Sequence, residues 1–312
     1  MPTLTVVRAG ALGDFVVTLP ALRALVEARG PLRLVGNAGA GTLAPELFAE
    51  LHSVDDPAWV GLFADGGALP TDRGDVVVLM RDPSVAARLG AAGWRVLAAG
   101  PPFPTEPGRH VAEHLLSVVA PVAGAARSAA AHWRHRTTVS TGHAIPRLER
   151  PYVVVHPGSG SPRKNWPVDR FAAMLPALRA RGLAVVVVGG PADRAVVEDL
   201  LDLDRGPLRV FEELSLPELA GLLRGAALYV GNDSGVSHLA GAVGAPSVVL
   251  FGPTLAARWA PWGPRVQVVE PAHRCRLCAG AQERPVACRC IETIEPDAVL
   301  AAAKDLVERA AA

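Results

Sequence analysis

Apolar residues in this chain fall in short unbroken runs rather than in strict alternation. Leu4–Val7, Leu32–Val35, Val76–Met80 and Arg95–Ala98 each read as a strand, and the helical stretches Ala21–Arg29 and Val85–Leu89 lie among them. Runs without polar interruption suit strands buried on both faces, as in a parallel sheet covered by crossover helices. A looser segment follows from Gly100 to Arg150. It has prolines at 101, 102, 104 and 107, one helical stretch over His110–Val119, and an Ala-rich basic stretch from Arg127 to Arg136. A second series then starts. Tyr152–Val155, Ala184–Val188, Leu208–Phe211, Ala227–Val230 and Ser247–Leu250 read as strands. Val168–Arg181, Asp193–Leu201, Leu216–Leu223 and Ser234–Val243 read as helices.

This pattern predicts an α/β protein of two doubly wound halves, with residues 1–145 as the first domain and 146–294 as the second. Residues 295–312 form a helical tail with the option of packing back on the first domain. Two domains of about 150 residues each also agree with the length of 312.

Composition narrows the function classes. The 31 basic and 30 acidic residues nearly cancel, so no nucleic-acid partner is expected. The N-terminus has no basic region ahead of an apolar run. The longest uncharged stretch, Ser237 to Ala257, is broken by three glycines and two prolines and reads as buried helix, turn and strand. A cytoplasmic protein is expected, with peripheral contact at the inner face of a membrane left open. Lys164 and Lys304 are the only lysines among the basic residues. A position kept as Lys against an Arg background points to a need for a compact charge.

Three loops carry candidate chemistry. Arg8-Ala-Gly-Ala-Leu-Gly-Asp14 follows the first strand, where loops of an open α/β sheet face the ligand crevice. Gly10 and Gly13 permit a tight turn, and Asp14 sits where the helix begins, as a catalytic carboxylate or as an ordinary N-cap. The spacing is Gly-x-x-Gly and not that of a dinucleotide fingerprint. The second loop, His156-Pro-Gly-Ser-Gly-Ser-Pro-Arg-Lys164-Asn-Trp166-Pro167, combines exposed backbone N–H groups with one lysine, a set suited to phosphate. Trp166-Pro167 reads as a packing staple. In the third, a strand ends at Asp233-Ser234-Gly235 and a small-residue helix containing His238 begins. Its N-terminus suits a diphosphate, with Asp233 able to accept from sugar hydroxyls. The plain alternative makes Asp233 or Ser234 a cap and His238 a core histidine. A fourth cluster, Cys275, Cys278, Cys288 and Cys290, is a candidate zinc site, but its spacing is not that of a common ribbon; free thiols are the competing reading.

Taken in order, Gly-Asp14-x4-Leu-Pro-Ala-Leu, His-Pro-Gly-Ser-Gly…Lys164-x-Trp166-Pro167 and Asp233-Ser-Gly-x-x-His238-Leu-Ala…Phe-Gly-Pro-Thr254 resemble glycosyltransferase family 9. The resemblance implies the GT-B architecture: two doubly wound Rossmann-like domains with a cleft between them. It implies an inverting transfer, without metal or cofactor, of a heptose or related hexose from a nucleotide diphosphate donor, typically ADP-heptose. The acceptor would be a saccharide or lipopolysaccharide-type glycolipid. Asp14 would be the general base. Ser159, Gly160 and Lys164 would hold phosphates, with the N–H groups of Ser234 and Gly235 on the leaving group. Asp233 and His238 would orient the donor, and Gly10 and Gly13 would shape the acceptor-side loop. Family members often carry Ser or Thr where this chain has Ala9, Gly10 and Ala11. Two other readings compete: a GT-B nucleotide-sugar epimerase, and a nucleotide-sugar binding protein with decayed catalysis.

Overall fold

The computed structural model describes residues 3–63, 67–106, 108–125, 127–134, 139–141, 148, 151–273 and 288–311. Two compact units, Met1–Ser140 and Thr141–Ala312, divide the chain. In the first, the described elements run β1 (Thr5–Arg8), α1 (Leu12–Arg29), β2 (Leu32–Gly36), α2 (Ala38–Gly41), β3 (Phe48–Ser53), β4 (Asp75–Leu79), α3 (Ser84–Ala91), β5 (Arg95–Gly100), α4 (Val111–Ala123) and α5 (Ala130–Trp133). The strands are parallel in the order β3-β2-β1-β4-β5.

The wholly buried runs Thr5–Arg8 and Asp75–Leu79 form the sheet centre, as suits the apolar stretches Val6-Val7 and Val76–Leu79 within them. β3 was not expected. Its sequence FAELHS mixes polar and apolar residues, and every residue keeps some exposure, as fits an edge strand. Helix α1 starts well before the predicted Ala21. Every residue from Phe15 to Leu22 is buried, so the segment shows no amphipathic period, and the helix continues through Pro20. At the start of β4, Asp75 is 4% exposed. It accepts from Arg95 Nε at 2.6 Å and Nη2 at 2.7 Å, and it also pairs with Arg29 at the end of α1. These arginines, Arg95 before all, hold the Asp75 carboxyl down at about 2 against the opposing push of burial.

The second unit comprises β6 (Tyr152–His156), α6 (Val168–Ala180), β7 (Ala184–Val188), α7 (Arg194–Leu203), β8 (Leu208–Phe211), α8 (Leu216–Arg224), β9 (Leu228–Asn232), α9 (Gly235–Ala242), β10 (Ser247–Leu250), α10 (Ala256–Trp259), β11 (Val266–Val269) and α11 (Pro296–Ala311). Its parallel sheet has the order β11-β10-β9-β6-β7-β8. β11, with its half-exposed sequence VQVV, is the second edge strand the pattern did not disclose. Val299, Ala302, Ala303 and Leu306 of α11 join the core of this unit beside Trp166, Phe171 and Leu250. Among the described residues no helix is long and apolar enough to cross a membrane.

Candidate functional site

Strand order fixes where ligands can lie in each unit. In the first sheet the chain starts at β1, moves outward through β2 and β3, and returns to β4 on the other side of β1. In the second it starts at β6, moves through β7 and β8, and returns to β9. Loops leaving β1 and β4, and those leaving β6 and β9, therefore part in opposite directions, and each divergence opens a crevice at the carboxyl ends of the strands. All three candidate loops of the sequence arise at these two points.

In the first unit the turn after β1 places its positive φ, 154°, at Gly10. A Cβ there would lie 2.6 Å from Asp14 Cβ, so only glycine lets this carboxylate fold over the turn. Gly13 lies within the first turn of α1 and not in the tight turn itself. Asp14 is not the N-cap. Ala11 holds that position, and Asp14, three residues on, reaches back so that its Oδ2 accepts from Ala11 N–H at 3.1 Å. Its Oδ1 takes Arg8 Nη2 at 2.9 Å. Arg8 is 6% exposed. It also donates to Thr18 Oγ1 at 3.2 Å and to the Ala9 carbonyl at 2.5 Å. Burial pushes the Arg8 guanidinium below its ordinary range, and Asp14 pulls the other way. Asn37 and Met80 bind the loop from its two neighbours, Asn37 Nδ2 donating to the Gly10 carbonyl at 3.2 Å and Ala9 N–H pointing at Met80 Sδ at 3.4 Å. The Asp14 side chain keeps 32% exposure. An ionised carboxylate has about four lone-pair sites, so two donors leave room for a proton or a hydroxyl.

The second unit gathers the other candidates. Lys164 Nζ meets Asp233 Oδ2 at 2.8 Å. Thr254, on the loop leaving β10, donates to the same oxygen at 2.5 Å. Asp233 is thus an ion-pair and hydrogen-bond centre and not a cap. Ser234 is the cap of α9, its Oγ accepting from Ser237 N–H at 3.3 Å, so the plain reading holds for that hydroxyl. Gly235 opens α9, whose first backbone N–H groups face the crevice. His238 is buried in the first turn and a half. Ser159 Oγ lies 2.7 Å from the Ser161 carbonyl and 2.6 Å from Asn165 Oδ1, so its hydrogen is committed inside the loop. A Cβ added to Gly160 meets nothing within 4 Å, which leaves that backbone approachable.

Behind this surface lies a buried frame that the sequence did not reveal. Asn232, fully buried, accepts Trp166 N–H at 2.9 Å and donates to the Pro157 carbonyl at 2.7 Å. Ser234 Oγ is 3.3 Å from His156 Nδ1, and His156 Nε2 is 3.2 Å from Asp193 Oδ2. Asp193 sits so close under the loop that a Cβ at Gly158 would fall 1.9 Å from its Oδ1. Burial pushes the Asp193 carboxyl up, but His156 and the Gly190 N–H together bring it below the usual range. Trp166, the expected staple, is fully buried and donates Nε1 to the Ile294 carbonyl at 2.9 Å. Of the cysteines, Cys275 and Cys278 lie outside the described residues, while Cys288 and Cys290 are buried. Among the described residues no group of three or more His, Cys, Asp or Glu is arranged to hold a metal ion.

The family profile described as glycosyltransferase family 9 (heptosyltransferase) matches residues 104–286, more than half of the chain. The chain belongs to glycosyltransferase family 9. Lys164, Asp233 and α9 of this family 9 protein fall inside the matched span, and Asp14 falls outside it. Lipopolysaccharide heptosyltransferase 3 of Escherichia coli is 36% identical over 115 residues, which are 36% of this chain and 34% of that protein. The chain thus spans about a third of the length of this curated relative. In fold the family 9 chain is similar to E. coli ADP-heptose LPS heptosyltransferase II, with a TM-score of 0.74, 17% identity, and coverage of 99% of this chain and 100% of that one. It is also similar to TibC, a dodecameric iron-containing glycosyltransferase of enterotoxigenic E. coli, with a TM-score of 0.66 and 18% identity over 100% of this chain and 77% of that one. The fold is GT-B: two parallel, doubly wound units.

Proposed function

We propose that this family 9 protein transfers a heptose or related hexose from a nucleotide diphosphate donor, ADP-heptose first among them, to a saccharide acceptor of lipopolysaccharide type. The observation that carries the donor side is the cluster of Lys164, Asp233 and Thr254 beside the N-terminus of α9, at the switch point of the second sheet. Lys164 uses one of three N–H donors on Asp233, leaving two for phosphate oxygens. The backbone N–H groups at Gly235 and the helix dipole stabilise the diphosphate as it gathers negative charge on leaving. On the acceptor side, Asp14 takes the proton of the attacking hydroxyl. The new bond forms at the anomeric carbon as its bond to the diphosphate oxygen breaks, with inversion and with no metal in the step. Arg8 and Ala11 hold both carboxylate oxygens in place, and that positioning supplies much of the rate. This reading places the protein in the cytoplasm, at the inner membrane face where a glycolipid acceptor is presented.

The test follows ADP release from ADP-heptose with and without a lipopolysaccharide core acceptor, with excess chelator, and with Asp14→Ala. We expect acceptor-dependent release that survives chelation, a product of inverted anomeric configuration, and a loss of about 10²–10⁴-fold in kcat for the variant. Full activity in Asp14→Ala overturns the base. Loss of activity on chelation, restored by added metal, overturns metal independence. Donor turnover without any acceptor favours an epimerase, and binding without turnover a decayed transferase.

A further inference from the structure

Arg258 is the third residue of α10 and is only 6% exposed. Its Nε and Nη2 are buried and meet no hydrogen-bond partner among the described residues. Arg8, equally buried in the first unit, offers the contrast, because its guanidinium is spent on Asp14, Thr18 and the Ala9 carbonyl. A buried cation with idle N–H groups is costly, and native structures pair such a group with a counter-charge. For Arg258 that counter-charge has to come from outside the described chain.

Its place in the fold says which kind. Thr254, bound to the Asp233 carboxylate, stands two residues before α10 begins. Behind α10, Pro261 and Trp262 pack over α9 so closely that a Cβ at Gly241 would lie 2.9 Å from the Trp262 carbonyl. The Thr254–Asp233 bond fixes the approach to α10 on the carboxyl edge of the sheet, where Lys164 and the start of α9 lie, and Arg258 follows four residues after Thr254. A planar guanidinium fork matches phosphate oxygens, and neither an apolar group nor a neutral sugar satisfies its charge.

We infer that Arg258 is an anion-binding residue of the donor subsite, receiving a phosphate of the nucleoside diphosphate. The inference rests on the donor reading above. It has an uncommon signature: the free protein carries an uncompensated charge that the ligand neutralises. Removing the charge therefore weakens ligand binding without weakening the free protein.

Calorimetry and thermal melting of the full chain with ADP, UDP, GDP, pyrophosphate and adenosine test this. The wild type, Lys164→Ala, Arg258→Met and Arg258→Gln are compared. We expect Arg258→Met to bind ADP about ten- to a hundredfold more weakly. Its adenosine affinity stays as in the wild type, and its ligand-free melting temperature is equal or higher. Should Arg258→Met fail to fold, Arg258→Gln, uncharged but still hydrogen-bonding, carries the same comparison. Wild-type ADP affinity in these variants, beside a loss in Lys164→Ala, overturns the inference and leaves the donor reading standing. A lower melting temperature with equal loss of ADP and adenosine also overturns it, since that marks a structural arginine. If the wild type binds none of the three nucleoside diphosphates, the donor reading itself falls.

Discussion

Replacing Asn232 by leucine, nearly its isostere, tests whether the donor loop is held by one buried amide. The side chain is fully enclosed and serves three backbone groups: Trp166 N–H at 2.9 Å, the Pro157 carbonyl at 2.7 Å and, less closely, the Gly158 carbonyl at 3.3 Å. Leucine fills the space, keeps water out and bonds to none of them. Stranding a buried N–H and a buried carbonyl costs roughly 1–3 kcal/mol each, and the long third bond adds little, so about 3–4 kcal/mol is expected. For a unit of this size each kcal/mol lowers the melting temperature by about 2–4 °C, which makes the drop roughly 10 °C. Asn232→Asp refines the test. It keeps an acceptor for Trp166 but turns a carboxylate toward two carbonyls, which raises its folded pKa above the unfolded value. Stability of that variant then falls as pH rises through this interval and is best in acid. Scanning calorimetry, with hydrogen exchange followed at the Trp166 amide, reads both effects. An Asn232→Leu protein that melts within about 2 °C of wild type, with Trp166 still protected, refutes the reasoning.

Two further outcomes follow from the first unit. Asp75→Asn removes a carboxyl whose folded pKa of about 2 lies below the ordinary 3.8. Its contribution, about 2 kcal/mol, is whole above roughly pH 4 and is lost as pH falls toward 2, so melting curves of wild type and variant should converge across that window. A gap unchanged down to pH 2 refutes the assignment. Gly10→Ala brings a Cβ to 2.6 Å from Asp14 Cβ. A displacement on the order of 1 Å at a reacting group costs about 10²-fold in rate, and assays of ADP release should show it in kcat with the donor KM unmoved.

What could be read from the sequence was local. Lys164 stood out as one lysine beside a glycine turn, and the turn at Asp233 and Ser234 showed where a strand gives way to a helix. Trp166 announced itself as a staple through the proline after it. The strands buried on both faces were legible, and so were the edge strands β5 and β8; β3 and β11, the other edge strands, interrupt their apolar residues with polar ones and went unread. Contacts between distant positions left no trace. Asn232 answers to partners 66 to 75 positions away, and His156 to Asp193 and Ser234, 37 and 78 positions away. Arg8 lies only six residues from Asp14, yet its role needs the backbone to fold at Gly10 before the two can meet. Arg258 looks in the sequence like any surface arginine, and only the folded chain shows it buried.

The strand order also bears on how the protein is made. β6 leaves the ribosome early in its unit and finds β7 next, but its other edge waits for β9, more than seventy residues later. Until then the segment Val153-Val-Val155 presents an open, wholly apolar border, the kind of template on which nascent chains associate. β1 faces the same wait for β4. The loops that follow β1 and β6, which carry Asp14 and Lys164, are thus synthesised first and completed last. Chains halted before β9 should be the ones that demand chaperone protection, whereas chains that have completed β11 should no longer need it.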